Sequence, residues 1–228
     1  MFRVTSLANM PEQQLNRWIK RVALLVFVVF IAFVAFYAAD RFRMPAPTIA
    51  ERELATLEQA VRDDPADIAS RGQLADLYLA SERYDDAIAQ YTEILATGKQ
   101  DKAALVSRAR ALELKGDLPA AATDYGKVVE MAKSGEMANV DPVLELSYYG
   151  LGSIALTQGK SQEAIEHLLA ALAIKRTDAD AMNLLGAAYV QAGQAEKAIE
   201  PLRQAVEFVP FGWDEPYQHL SDAYKATG

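Results

Sequence analysis

Cysteine is missing from the chain, and histidine occurs only twice, as His167 and His219. Without cysteine there can be no disulfide, no thiolate metal site, no cysteine nucleophile and no haem-attachment CxxCH. Two isolated histidines do not make a metal cage or a nucleophile and base pair, and no glycine-rich phosphate loop is present. A basic excess is missing too: 23 Lys and Arg stand against 31 Asp and Glu, a net charge of -8. Counterion release from a phosphate backbone therefore has little to draw on, and nucleic acid is excluded as a main partner. Alternating runs of β-branched and aromatic residues are also scarce, so strands are not expected. These absences point to an all-α protein that is not an enzyme and needs no cofactor or metal.

One long apolar run stands out. "VALLVFVVFIAFVAFYAA", residues 22–39, is uncharged over 18 positions. As a helix it would be about 27 Å long, close to the roughly 30 Å of a bilayer's hydrocarbon core. It has no polar face and no small-x-small cleavage pattern at its end, which favours an uncleaved anchor over a signal peptide. Trp18 and Tyr37 sit at its two ends, where amphipathic rings prefer the interface. Arg3, Arg17, Lys20 and Arg21 precede it, and Arg41, Arg43 and Arg52 follow. The balance leans toward a cytoplasmic N-terminus, with the remainder outside the inner membrane of a bacterial cell.

The expected segments are an N-terminal flank at 1–21, the anchor at 22–39 and a linker at 40–48, stiffened by Pro45 and Pro47. From residue 49 the apolar spacing becomes helical, with Leu54, Leu57 and Val61 on one face and a stop around Pro65. Beyond that the text repeats. Ala87, Ala121, Ala164 and Ala198 hold equivalent places at separations of 34, 43 and 34 residues. Four residues after them come Tyr91, Tyr125, Leu168 and Leu202, and twelve before them Ala75, Ala109, Gly152 and Gly186. Small residues facing large ones at a fixed period are what interlocking helix pairs need, because close backbone approach requires a small partner.

A 34-residue helix-turn-helix period with these residues resembles the tetratricopeptide repeat family. Its matches are "LADLYLASERYDDAIAQYTEIL" (74–95), "ARALELKGDLPAAATDYGKVV" (109–129), "LGSIALTQGKSQEAIEHLLAALAI" (151–174) and "LGAAYVQAGQAEKAIEPLRQAVEF" (185–208). The resemblance implies a right-handed α-solenoid of about four repeats, at 68–101, 102–135, 145–178 and 179–212. A partial capping unit is expected at 49–67, an insertion at 136–144 and a C-terminal capping helix at 213–228. Three departures are visible. Glu82 replaces the turn glycine present as Gly116, Gly159 and Gly193, so that turn should be less comfortable. Pro201 falls inside a second helix and should bend it, and the closing proline occurs only as Pro65 and Pro210.

His167 aligns with Pro201, in a slot the packing does not use, and is expected to be a partly exposed face residue; His219 should border the surface of the cap. The acidic clusters "RDDPAD" and "SERYDDA" read as helix starts rather than cation sites. Trp213 is expected to cover the end of the core. The family's first helices line a groove that commonly holds a peptide or helix. The resemblance implies groove-facing slots at Gly72, Asp76 and Leu79; at Val106, Arg110 and Glu113; at Tyr149, Ser153 and Leu156; at Asn183, Ala187 and Val190; and at Gln218, Asp222 and Lys225. Gly72 and Asp76 do not match the family's carboxylate clamp, which disfavours a co-chaperone role. The candidate partner-binding residues are Asp76, Arg110, Glu113, Tyr149, Ser153, Leu156, Asn183, Val190 and Gln191. The expected role is a membrane-tethered scaffold that binds a protein or peptide partner, unnamed by the sequence, and helps assemble an envelope complex. A cytoplasm-facing adaptor or a structural accessory subunit, including one of cytochrome c maturation, has the same layout.

Overall fold

The computed structural model describes residues 11–41, 48–98, 101–208 and 214–228. The Pro45 and Pro47 spacer, Pro210 and Trp213 lie outside them. Among the described residues every regular element is a helix. The chain divides into two compact units, Met1–Glu51 and Arg52–Gly228.

The first unit is built on α1, Glu12–Arg41. Its segment Glu12–Ala38 is long and apolar enough to cross a membrane. The large apolar side chains from Trp18 to Tyr37 are exposed along it. The helix begins ten residues before the apolar run and so carries Arg17, Lys20 and Arg21 on its own first turns.

The second unit stacks helical hairpins. After α2 (Ile49–Asp63) come the pairs α3 (Ile68–Ala80) with α4 (Tyr84–Ala96), and α5 (Lys102–Lys115) with α6 (Leu118–Ala132). Then follow α7 (Pro142–Thr157) with α8 (Ser161–Ile174), α9 (Ala179–Gln191) with α10 (Ala195–Phe208), and a last helix, α11 (Glu215–Thr227). Aspartates set the first-helix starts. Asp67, Asp101, Asp141 and Asp178 each accept a hydrogen bond from backbone N–H groups of the following turn, satisfying donors that a helix start leaves free. The "RDDPAD" cluster is therefore capping chemistry, with Ser70 adding a 2.6 Å hydroxyl bond to Asp67.

The four tight turns share one closing bond. Arg83 donates its backbone N–H to Tyr78, Asp117 to Leu112, Lys160 to Ala155 and Gln194 to Tyr189, at 2.8–2.9 Å. This six-to-one closure needs a left-handed residue. Gly116, Gly159 and Gly193 supply it with φ of 93°, 75° and 70°, and Glu82 supplies it with φ of 59°. The first turn thus has the same shape as the others and carries the strain that a side chain brings to that region.

Between the helices, the small and large series interlock as their spacing predicts. Ala75 and Ala109 are fully buried, as are Leu168 and Leu202, while Tyr91 and Tyr125 are 2% and 1% exposed. At Gly186 an added Cβ would sit 2.2 Å from Leu202 Cγ, so only glycine permits this crossing. Burying each of these large side chains contributes about 1.5–3 kcal/mol. Pro201 lies inside α10, which continues through it from Ala195 to Phe208.

The insertion changes where the third repeat begins. The 34-residue period extended from Asp178 would place a cap at position 144, but Asp141 takes that role and Pro142 occupies the first turn. After α6 the chain makes a short 3-10 turn, Ala138–Val140, and α7 gains about a turn at its start. Lys102 of α5 reaches across to the Asp141 carboxylate and ties the new start to the preceding repeat.

First helices neighbour first helices, from α3 to α5, α5 to α7, α7 to α9 and α9 to α11. That side is the inner face of the stack. At the C-terminal end α11 packs on both α9 and α10, with Pro216 and Ala223 buried.

Candidate functional site

The nine residues expected on the inner face fall into four environments. Asp76, near the end of the first repeat's α3, accepts a 2.5 Å hydrogen bond from the Tyr91 hydroxyl. Glu113 of α5 accepts from the Tyr125 hydroxyl at 3.0 Å, and the Ser153 hydroxyl of α7 lies 3.4 Å from its other oxygen. These carboxylates hold the phenol ends of the two tyrosines that fill the helix pairs. Burial is the main cause raising both phenols well above the ordinary tyrosine range, with the carboxylates reinforcing it. Asp76 is therefore engaged within the first repeat, Glu113 within the second, and Ser153 joins the third repeat to the second. Leu156 is half-buried against the core of the third and fourth repeats.

At the C-terminal end the expectation of an open slot is corrected. Asn183 is 2% exposed, and its Oδ1 lies 2.8 Å from His219 Nδ1 of α11. Val190 packs with the cluster of Ala198, Leu202 and Ala223. The last helix lies over these positions because it stacks as the first helix of a fifth unit would. Gln191 points elsewhere, accepting a 2.8 Å bond from the Ser161 hydroxyl of α8. Val106, another expected groove slot, is a core residue at 6% exposure. His167 is half-buried, its ring centroid 6.1 Å from that of Tyr148.

Arg110 and Tyr149 come together in a recess of about 340 Å³ on the inner face. α5 contributes Arg110, α7 contributes Glu145, Leu146 and Tyr149, and α9 with its cap contributes Asp178 and Asp180; Lys175 closes the rim from the end of α8. Lys175 pairs with Asp178 at 2.5 Å, and Asp178 also accepts the Ala181 N–H at 2.9 Å. Neither Arg110 nor the Tyr149 hydroxyl makes a hydrogen bond or ion pair with any described residue. Burial pushes the Tyr149 phenol up to about 12, with Asp180 and Glu113 adding to it. Burial and Asp178 likewise raise the Glu145 and Asp180 carboxyls. Three carboxylates, Glu145, Asp178 and Asp180, and two cations, Arg110 and Lys175, line the recess.

Sequence reasoning missed Glu145, Leu146, Lys175, Asp178 and Asp180. Leu146 and Asp180 stand three residues before the slots of Tyr149 and Asn183, and on a helix that spacing returns to the same face. This was the available signal. Glu145 stands four residues before Tyr149, which returns to the same face as well, but the sequence does not show that α9 stacks over it and buries it.

Two family models, both described as tetratricopeptide repeat, match residues 73–136 and 147–210, together more than half of the chain. Among solved structures, residues 41 to the end of MamA from Desulfovibrio magneticus RS-1 are 26% identical with a TM-score of 0.58, covering 71% of this chain and 90% of that one. BtubC from P. vanneervenii is 20% identical with a TM-score of 0.63, covering 80% and 85%. YrrB, described as a TPR protein with an unusual peptide-binding site, is 20% identical with a TM-score of 0.58, covering 78% and 83%. The last two likenesses speak to the fold alone. No curated protein matches the chain. On its repeat spacing, its interlocked helix pairs and these matches, the chain belongs to the tetratricopeptide repeat family and is built as a protein-protein interaction scaffold.

Proposed function

We propose that this protein is a membrane-tethered scaffold whose inner face holds a protein or peptide partner during assembly of an envelope complex. The observation that carries the reading is the recess of Arg110 and Tyr149, whose polar ends have no hydrogen-bond or ion-pair partner among the described residues while Asp76, Glu113 and Ser153 do. Aromatic and arginine side chains in a partly desolvated hollow are the residue types that dominate interface energies. The apolar segment of α1 supports the tether, and a tether raises the effective concentration of a weak groove at the bilayer. The charge balance around that segment supports a cytoplasmic N-terminus with the repeats outside.

A photo-crosslinking side chain at position 149 tests the groove in cells, with position 130 on the exposed side of α6 as its comparison. A discrete adduct from position 149 and none from 130 is expected. Adducts from 130 alone would move binding to the opposite face. Alkaline phosphatase fused after Thr48 should be active if the repeats lie outside, and inactive fusions would reverse the orientation.

A further inference from the structure

Glu145 is in an unusual position for a carboxylate. It is 7% exposed, it lines the inner-face recess, and its carboxylate makes no hydrogen bond or ion pair with any described residue. The nearby Lys175 answers it only partly, at a distance, since its ion pair is with Asp178. The Asp180 carboxylate, on the α9 side of the recess, and the Tyr149 hydroxyl are likewise without a hydrogen bond or ion pair to any described residue. The Glu145 oxygens reach the open recess and are not sealed in the core, yet holding an unpaired carboxylate on a largely buried side chain is still costly. The cost is relieved when a positive group enters the open volume in front of it.

The charge count at the recess points the same way. Glu145, Asp178 and Asp180 supply three carboxylates, and Lys175 and Arg110 supply two cations. A metal ion is not the matching occupant, because no three acidic or imidazole groups among the described residues converge on one point. A long side chain with a cationic head suits the hollow better: its stem can lie along the Tyr149 ring while its head reaches the carboxylates.

We propose that the recess between α5, α7 and α9 is a subsite for a lysine or arginine side chain of the partner peptide, with Glu145 and Asp180 as its carboxylate acceptors. This rests on the groove reading above and adds the chemistry of what the groove selects. Arg110, at the α5 rim, then faces the partner's backbone carbonyls or an acidic neighbour of that cation.

Selection of random displayed peptides on the full chain in detergent micelles tests it. Enriched peptides should share a lysine or arginine at one fixed position. Synthetic copies should bind roughly tenfold or more weakly to Glu145→Gln and to Asp180→Asn, and more weakly as salt rises. Circular dichroism would show whether Glu145→Gln remains folded, and the exposed Asp180→Asn gives a second reading that does not depend on a buried position. If the enriched peptides bind without a fixed cation, or with a fixed acidic residue, yet lose affinity to Tyr149→Ala, the cationic subsite is wrong and the groove stands. If no peptide is retained, both readings fail.

Discussion

Asn183 Oδ1 lies 2.8 Å from His219 Nδ1, and this contact joins the last full repeat to the helix that ends the solenoid. The amide is almost fully buried, so the imidazole of α11 is what satisfies it. Removing His219 leaves the buried amide short of a bond, at a cost of about 1–3 kcal/mol, and removing Asn183 leaves the half-buried imidazole without its anchor. Asn183→Ala is therefore expected to loosen α11 before it affects the rest of the stack. Deuterium uptake should rise across residues 215–227 with little change in α3 to α8, and uniform uptake along the solenoid would contradict this.

Glu82 makes a similar argument in the opposite direction. It is the single non-glycine residue with positive φ among the described residues, in a turn that three sister repeats make with glycine. Glu82→Gly relieves the left-handed strain, and part of that gain is offset by the greater freedom of glycine in the unfolded chain. A net gain of about 0.5–1 kcal/mol is expected, read as a higher urea midpoint with an unchanged slope. A lower midpoint would show that the Glu82 side chain contributes something the turn geometry does not reveal.

Two helical glycines should respond oppositely to alanine. At Gly150 of α7 the new Cβ would lie 2.4 Å from a ring carbon of Tyr125. That ring is 1% exposed and tied to Glu113 through its hydroxyl, so it has little room to move. Overpacking of this kind costs about 1–3 kcal/mol, partly offset by the better helix propensity of alanine. At Gly126 of α6 nothing lies within 4 Å of the new atom. Gly126→Ala should raise the thermal midpoint through propensity, by up to about 1 kcal/mol, and Gly150→Ala should lower it. Equal effects would mean that Tyr125 can shift.

Glu145 links stability to pH. Its carboxyl is raised by burial and by Asp178, so the folded chain holds the proton more tightly than the unfolded chain. Below the unfolded value both states are protonated and there is no penalty. As pH rises through the unfolded value and then the folded one, the unfolded state releases its proton first and stability falls. Glu145→Gln removes that loss. The variant should melt above the parent at neutral pH, with the difference closing in acid near pH 4. A difference that persists unchanged in acid would point to packing rather than charge.

Much of the solenoid was legible in the text because its determinants are local and periodic. A small residue twelve before Ala87, Ala121, Ala164 or Ala198 and a large one four after can be read without coordinates, and the structure places both in the core. Helix starts were legible for the same reason, except where Asp141 took the cap three residues early. The inner face was less readable. Slot alignment pointed to Asn183 and Val190 as openly as to Arg110 and Tyr149, because a one-dimensional repeat does not say which units have a neighbour stacked over them.

The sequence by itself determined the helical hairpins, their period, the strained turn at Glu82 and the apolar segment of α1, since each follows from residue types at fixed spacing along one chain. Only the tertiary structure decided which inner-face groups are free. Glu113 is held by Tyr125 of its own repeat, Asn183 is covered by His219 of the terminal helix, and Glu145 and Asp180 are brought to line one recess by the stacking of α7 and α9. Those outcomes depend on distances between helices, which the order of residues along one helix does not contain.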